Sequence, residues 1–419
     1  MLNRGSAPDY VDVGPVRVIS QASNQASGLD WSRTRFHDFN GNPENLKGHL
    51  FPNDVLINST GTGTLGRVGY FSNPTDSFPC MTDSHVTIAR PKPNELYARF
   101  LYYWLSSQPF QEYVYAALVV GATNQIELNR DRLGDAQVPL PPLEEQRRIA
   151  DFLDAETSTI DSYVKLHERL ISVLQEKTSA AIESLLLHGH AQPLKAGRPD
   201  AAPFPSRFPI GRLKHVASRV DVGIAEAATH AYASDGVPLI RSTNIRANHL
   251  ETRDMLYIAP WFAERNRSKY VFGGDIVTVR TGNAGVSAVV PQDLNQSQTF
   301  TQLITTLRAG NSAEYFCHFL NSRVCRQYFE IVSWGSAQKN ISVPLLANAP
   351  VPIPPTEIQR EVSESIEHLS EVSSSMVSKV DKARQLAIER RQALITAAVT
   401  GQFDVTTASG RNVTDGVTA

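Results

Sequence analysis

The sequence predicts an α/β (α+β) chain built twice: two pseudo-symmetric globular halves, joined by two long antiparallel coiled-coil helices. Three observations predict it. The stretch Pro139-Leu140-Pro141-Pro142-Leu143-Glu144-Glu145-Gln146-Arg147 returns as Pro352-Ile353-Pro354-Pro355-Thr356-Glu357-Ile358-Gln359-Arg360, at a constant offset of 213 residues. Each copy opens a long, apolar-periodic run free of Gly and Pro, ending at Gly189 in one case and Gly401 in the other. Ahead of each copy lie the same parts in the same order: a strand–glycine turn–strand unit, an aromatic helix and an amide-rich loop. A period of this size is too long for a solenoid and reads as a duplicated half-protein.

Composition narrows the class. The chain has 419 residues, 41% hydrophobic and 20% charged, as in a globular protein with real cores. No stretch approaches the roughly 20 apolar residues of a membrane span, and the polar start, Met1 to Ser20, has no signal-peptide block. Three cysteines, Cys80, Cys317 and Cys325, without paired metal spacing point to a reduced, cytoplasmic setting. The net charge is −2, but residues 205–350 carry +5 and residues 143–190 carry −4. The second globular half is thus basic and the first long helix acidic, although ordinary surface scatter fits these values too.

In the first half Gly14 to Ala22 loosely resembles Gly236 to Asn244 of the second. About 28 residues (208–235) precede this region in the second half and only 13 in the first. The first half is therefore expected to lack an opening strand or helix, or to start upstream of Met1. Next, Val55 to Ile57 enters a Gly/Thr turn and leaves as a strand around Val68 to Phe71; Phe272 to Val286 repeats this design. Glycine supplies the positive φ that such turns need. Gly61-x-Gly63-x-x-Gly66 matches a phosphate-loop pattern, but a β-like segment follows where a helix should begin. The second copy keeps only Gly282 and Gly285, so we set nucleotide binding aside. Asp83 to Ile88 reads as a strand, and Leu96 to Tyr115 and Ala313 to Phe329 as helices whose aromatics belong to the core. Cys317 and Cys325 on the second of these read as buried small hydrophobes. The loops Gly121-Ala122-Thr123-Asn124-Gln125-Ile126 and Gly335-Ser336-Ala337-Gln338-Lys339-Asn340-Ile341-Ser342 stand at matching places. Their amides can brace a turn, or pair in bidentate fashion with adenine.

The lead-in prolines suit a helix first turn, and Glu144, Glu145 and Glu357 suit its dipole. In the first run Ile149, Leu153, Ile160, Tyr163, Val164, Leu170 and Leu174 make a narrow stripe, continued by Ala181, Ile182 and Leu185. In the second, alternating steps of four and three select Val362, Ile366, Leu369, Ser373, Met376, Val380, Ala383, Ala387, Arg390, Leu394 and Ala397. This is a coiled-coil seam, and the other copy is its natural partner. The expected domains are 1–141, a first spacer helix 142–190, a linker 191–207, a second globular domain 208–353, a second spacer helix 354–402 and a disordered tail 403–419.

The two halves, the Pro-Leu-Pro-Pro-Leu-x-Glu-Gln lead-in and the long helix after each half resemble the specificity subunit of type I restriction-modification systems. So do the Gly274-Asp275-Ile276-Val277 strand and the loop 335–342. The likeness spans residues ~14–405. Departures are the short first half, Thr356 in place of Leu, and Asn124-Gln125 in place of Gln-Lys-Asn. The resemblance implies a non-catalytic reader of double-stranded DNA. Each globular half would be a target recognition domain for one part of a split, asymmetric site. The helices would set the spacing and dock two methyltransferase subunits, joined by restriction subunits. S-adenosylmethionine, ATP and Mg would belong to those partners, with no cofactor or metal on this chain. Geometry agrees: ~45 helical residues span ~68 Å, about two turns of B-DNA at ~34 Å each.

Polar loop residues should read bases while Arg and Lys hold phosphates. The candidates are Ser59, Thr60, Thr62, Arg67, Asn124 and Gln125 in the first half. In the second they are Arg241, Asn244, Arg280, Thr281, Asn283, Gln338, Lys339 and Asn340. No Asn/Asp-Pro-Pro-Tyr/Phe element, Gly-x-x-x-x-Gly-Lys-Ser/Thr loop, Asp followed by Glu-x-Lys, or His/Cys cluster occurs to support an enzyme. A coiled-coil scaffold with two peptide-binding heads, which would not need matched polar loops, is the alternative.

Overall fold

A computed structural model describes residues 1–25, 28–61, 63–72, 74, 76, 78–120, 126–189, 206–226, 229–332 and 340–405. The candidates Thr62, Asn124, Gln125, Gln338 and Lys339 lie outside the described residues, as do 191–205 of the linker and the tail beyond 405. The chain forms two compact units, Met1–Arg169 with Val380–Ala419, and Leu170–Lys379.

The first unit contains a four-stranded antiparallel sheet in the order Leu2–Arg4, Val86–Ala89, Val55–Asn58, Val68–Tyr70. All four residues of Val55–Asn58 are buried, as are those of Val86–Ala89, because the sheet is covered on both faces. Alternation sends Val55 and Ile57 toward Leu101, Leu105 and Phe110 of the helical side. Leu56 points the other way, toward Ile19, Phe71, Val86 and Ile88. A second sheet runs Tyr10–Val11, Arg35–His37, Val16–Ile19, Cys80–Thr82, its last pair parallel. The strand expected from Asp83 to Ile88 is shorter, Val86–Ala89, and a separate strand, Cys80–Thr82, precedes it in the other sheet. Asp83 makes the corner between them: its carbonyl accepts from Val86 N–H at 3.3 Å and its carboxylate from His85 N–H at 2.9 Å.

The second unit repeats the plan. One sheet runs Ala217–Val222, Leu303–Leu307, Ile276–Thr278, Ser287–Val289. The other runs Tyr232–Ala233, Leu256–Ile258, Val237–Ile240, Ser297–Thr299, Tyr270–Val271, with Val237–Ile240 and Ser297–Thr299 parallel. Ile276 and Leu303 face the helices, while Val277 and Ile304 face the other way. The turn into each central strand is also duplicated. Asn53 and Gly274 take φ of 75° and 90°, and the next residue, Asp54 or Asp275, accepts from the N–H of Phe51 or Phe272 at 2.8 and 2.9 Å.

Leu2–Arg4 pairs on Val86–Ala89 as Ala217–Val222 pairs on Leu303–Leu307. The edge strand of the first sheet is therefore present. The second unit has in addition Ile210–Arg212, paired with Pro350–Pro352, and a helical turn, Leu213–Val216. These two pieces have no counterpart among the described residues of the first unit.

Both aromatic helices are broken in two, Ala98–Ser106 and Gln108–Tyr113 in one unit, Ala313–Asn321 and Arg323–Val332 in the other. The breaks fall at Ser107 and Ser322, whose backbones are extended. Ser322 Oγ caps the next helix by accepting from Cys325 N–H at 3.3 Å.

The long helices are Leu143–His188 and Thr356–Val399, 46 and 44 residues. In the first unit Ile149 and Leu153 pack with Leu394, Ile395, Ala398 and Val399, and against Phe100 and Tyr103 of the head. Asp161 pairs with Arg391 at 2.8 Å and Glu168 with Arg384 at 3.6 Å. One index rises by seven as the other falls by seven, so the helices are antiparallel there. Ile160 and Val164 are half-buried along the same stretch, as is Val380. In the second unit Leu185, Leu186 and Leu187 share a core with Val362 and Ile366, with Leu369 packed on it. Thr178 and Ser373 join hydroxyls at 2.7 Å, and Leu174 is half-buried. Met376, expected in the seam, is 49% exposed in the second unit, and Arg390, expected in it too, is exposed in the first. Val377, Arg384 and Arg391 are half-buried beside Ser373, Val380, Ala383 and Ala387, so the buried face is wider than the narrow seam that the spacing selects.

The lead-in glutamine ties each head to its helix. Gln146 is buried; its Oε1 accepts from Tyr97 N–H at 2.7 Å, and its amide donates to the carbonyls of Glu95 and Pro141 at 3.2 and 2.8 Å. Gln359 does the same with Ser312 N–H at 2.8 Å, Pro354 carbonyl at 2.9 Å and Asn311 Oδ1 at 3.4 Å.

Candidate nucleic-acid interface

In the second unit the central strand leaves the sheet at Val279 and turns back by Val286. Val279 N–H donates to Val286 O at 2.8 Å and Gly285 N–H to Val279 O at 2.9 Å. Gly282 and Gly285 take φ of 84° and 91°, which side chains resist. The base of this turn is clamped. Arg280 N–H donates to Gln302 Oε1 at 3.1 Å, and its carbonyl accepts from Ile341 N–H at 3.0 Å. Thr281 then bridges to Asn340. Arg280 Nε donates to Asn340 Oδ1 at 3.0 Å, and Arg326 donates to Asn283 Oδ1 at 3.1 Å. Thr281, Asn283 and Asn340 are exposed. Asn283, Arg326 and Glu330 line a small cleft of about 100 Å³ together with Phe329 and Ile341, and the Arg280 guanidinium lies against Asn340.

The first unit closes its turn in the same way. Leu128 N–H donates to Ser59 O at 2.8 Å, and Thr60 bridges to Glu127. Gly61, Gly63 and Gly66 all take positive φ, and no helix follows them, as the sequence indicated. Thr60 Oγ1 meets His85 Nδ1 at 2.8 Å and donates to Gln21 Oε1 at 3.2 Å. Arg67 Nη1 donates to Asn24 O and Gln25 Oε1, both at 3.2 Å. The charge differs from the second unit: Glu127 stands where Asn340 does, and it is ion-paired with Arg4.

Two candidates are scaffold by their placement. Ser59 is fully buried, its hydroxyl 2.5 Å from Thr87 Oγ1. Asn244 is buried with both ends of its amide engaged, accepting from Arg241 N–H at 3.1 Å and donating to Glu251 O at 3.0 Å. Neither presents a group to a ligand. The guanidinium of Arg241 is turned onto Asp254 O at 2.6 Å. Asn244 pins a small hairpin, Ile245–Arg246 with His249–Leu250, which the sequence reading missed. The first unit has its equivalent in Asn24–Gln25 with Gly28–Leu29, pinned by Ser23, whose Oγ accepts from Ser20 N–H at 2.8 Å. The hairpins add Gln25, Arg246 and His249 as candidates, and the turns add Gln21 and Arg326. A signal existed: Asn248 sits at φ 67°, a conformation Asn tolerates in two-residue turns.

The three thiols are buried. Burial pushes that of Cys80 up to about 12 and those of Cys317 and Cys325 higher, so none is a nucleophile at neutral pH. Among the described residues no group of three or more His, Cys, Asp or Glu could hold a metal ion, and no helix is long and apolar enough to cross a membrane.

The family model for the type I restriction modification DNA specificity domain matches residues 32–174 and again 227–378. The chain is 21% identical over 360 residues to the type I restriction enzyme EcoKI specificity subunit of Escherichia coli strain K12, covering 84% of this chain and 75% of that one. It is 22% identical over 387 residues to the EcoBI specificity subunit of Escherichia coli, covering 84% and 78%. A solved structure described as the structural basis of complex assembly and conformational transition of the type I R-M system has the same fold, with a TM-score of 0.70, 16% identity and 92% of both chains covered.

Proposed function

We propose, on the premise that the chain belongs to the type I restriction modification DNA specificity family, that it is the DNA-reading subunit of a type I restriction-modification complex. Each unit reads one part of a bipartite, asymmetric site. The observation that carries this reading is the recurrence of one device. In both units a glycine turn is bridged to the C-terminal end of the amide-rich loop or the residue just after it, at Thr60–Glu127 and at Thr281–Asn340. The bridge holds polar side chains at a rim while leaving their identities free to differ. Bases are read by such residues, and Arg280, Arg326 and Arg246 meet phosphates.

The long helices serve two methyltransferase subunits. In the first unit Tyr163, Leu166 and Leu386 are exposed at 44, 62 and 55%. A largely apolar groove of about 510 Å³ lies beside them, lined by Ile160, Ala383 and Ala387 among others. Restriction subunits join that core. S-adenosylmethionine, ATP and Mg bind the partner subunits, and this chain performs no chemistry itself. The complex works in the cytoplasm.

The test is co-expression with a type I methyltransferase subunit, followed by sequencing of genomic adenine methylation. A bipartite motif is expected, and exchanging residues 208–353 for those of another specificity subunit should change one half of it. Absence of any motif, or a motif indifferent to the exchange, refutes the reading and leaves the coiled-coil scaffold.

A further inference from the structure

The small hairpin of the second unit carries its side chains in two layers. Ile245 pairs with Leu250 and Arg246 with His249. Residues directly opposite in such a pair share a face. Ile245 is buried in a core with Val279, Val286 and Ala288, and Leu250 packs on it. Arg246 and His249 therefore stand together on the other face, and both are exposed. The base of the hairpin is held by Asn244, which accepts from Arg241 N–H and donates to Glu251 O. Its tip is held by Asn321, the last residue of the helix Ala313–Asn321.

Asn321 Oδ1 accepts from Ser287 N–H at 3.0 Å. Its NH2 group faces three acceptors, Asn248 Oδ1 at 2.7 Å, Ser287 O at 2.8 Å and Cys317 O at 3.0 Å. Ser287 O also accepts from Asn248 N–H at 2.9 Å. Ser287 opens the strand that leaves the glycine turn, and Ser322, next in the chain after Asn321, caps the helix that bears Arg326. One amide thus fixes three elements to each other: the hairpin with Arg246 and His249, the turn with Arg280 and Asn283, and the helix with Arg326.

The first unit reaches a similar tie with different residues. Ala98–Ser106 and Ala313–Asn321 are both nine residues long, which puts Ser106 in the place of Asn321. The Ser106 hydroxyl turns back onto Tyr102 O at 2.7 Å. The hairpin there is tied instead by Asn24, whose Nδ2 donates to Asn58 Oδ1 at 2.9 Å, with both residues fully buried. Asn58 ends the central strand just before the glycine turn. A tie copied unchanged by duplication would keep its residues. Here the residues differ and the link between hairpin and turn recurs, so the relative placement of the two is what both units hold fixed.

Resting on the reading of this chain as a DNA-reading subunit, we propose that Asn321 is a positioning residue for the half-site of the second unit. It sets the distance between hairpin and turn, so that the contacts of both fall in register with one stretch of duplex. Without the amide the two elements settle independently. The loss then appears in discrimination, because a side chain moved off its base edge no longer rejects the wrong base.

The chain is assembled with a type I methyltransferase subunit and its bipartite motif read from adenine methylation. The half that changes on exchange of residues 208–353 is that of the second unit. Methyl transfer is then timed on duplexes carrying the motif and every single-base change in each half. In Asn321→Ala, discrimination against changes in the second unit's half should fall at least about tenfold, with the other half unchanged. Asn248→Gly keeps the positive φ and removes the Oδ1 acceptor, so it should shift the same bases in the same direction. Gln359→Leu weakens the same unit away from these elements, and should slow all duplexes alike with their ratios intact. Ratios preserved in Asn321→Ala while rates fall would make the amide a brace alone and overturn the proposal. So would equal loss in both halves, an unmoved ratio in Asn248→Gly, or the same loss of ratio in Gln359→Leu. If Asn321→Ala does not assemble, Asn248→Gly decides. A parent complex that methylates no bipartite motif fails earlier, at the reading of function, and this assignment falls with it.

Discussion

Replacing Gln359 by Leu tests whether a single buried amide couples each head to its helix. Leu roughly keeps the volume and removes the polar atoms. In the parent, Gln359 accepts from Ser312 N–H and donates to Pro354 O and Asn311 Oδ1, and it is 1% exposed. The variant strands at least the Ser312 donor and the Pro354 acceptor. A buried polar group left unpaired costs about 1–3 kcal/mol, so a loss of about 3 kcal/mol is expected after partial relaxation. At about 2–4 °C per kcal/mol for a unit of this size, the transition of that unit should fall by about 6–12 °C in a melt followed by circular dichroism. Gln146→Leu should act on the first unit by a similar amount, since its three contacts are of the same kind. The two glutamines share no partner and lie in different units, so the double variant should add their effects within about 0.5 kcal/mol. A shift of less than about 1 °C in both single variants would refute the reasoning, because the amide would then be replaceable by packing alone.

Burial holds the His318 imidazole below the ordinary value of 6.5. The unfolded chain therefore takes up that proton first, and stability present above about pH 6.5 should be lost as pH falls through the lowered value. His318→Gln should flatten the dependence of melting temperature on pH across this window; an unchanged slope speaks against it. His49, shifted the same way by burial, would keep a residual slope in the first unit. Cys80, Cys317 and Cys325 should resist a thiol reagent in the folded chain and react in denaturant; fast labelling of any of them in native buffer contradicts their placement. Asn283→Ala with Asn340→Ala should alter or abolish methylation at one half-site, with melting temperature changed by less than about 2 °C because both side chains are exposed. Arg326→Ala should weaken DNA binding with little change of sequence preference and a shallower salt dependence.

The duplication, the long helices and the glycine turns were legible because they rest on local pattern. Val55-Leu56-Ile57 announces a strand covered on both faces, and a helix of more than 40 residues cannot hide its apolar stripe in one head. What depends on distant partners was not. Cys80–Thr82 and Val86–Ala89 lie four residues apart yet enter different sheets, and only their pairing with Val16–Ile19 and Val55–Asn58 decides that. Gln146 was visible as part of a repeated motif, but its role needs the carbonyl of Glu95, far back in the chain. At the site, Ser59 and Thr60 are adjacent and chemically alike, and burial alone separates a brace from a rim residue. Met376 shows the limit of counting by fours and threes, since it is 49% exposed beside a half-buried Val377 while Ser373, Val380 and Ala383 keep their expected places.

The core around Phe100, Tyr103, Ile149 and Leu153 is closed by Leu394, Ile395, Ala398 and Val399. On a ribosome the first head is therefore made early but finished last. Its sheets can form as they emerge, while the surface meant for the second helix stays bare until residues 394–399 have been synthesised. The second unit is continuous in sequence, Leu170–Lys379, and has no such wait. The order of synthesis and the order of completion are thus reversed. A nascent chain interrupted before residue 394 would carry one finished head and one with an exposed apolar seam, the kind of surface that engages chaperones or aggregates.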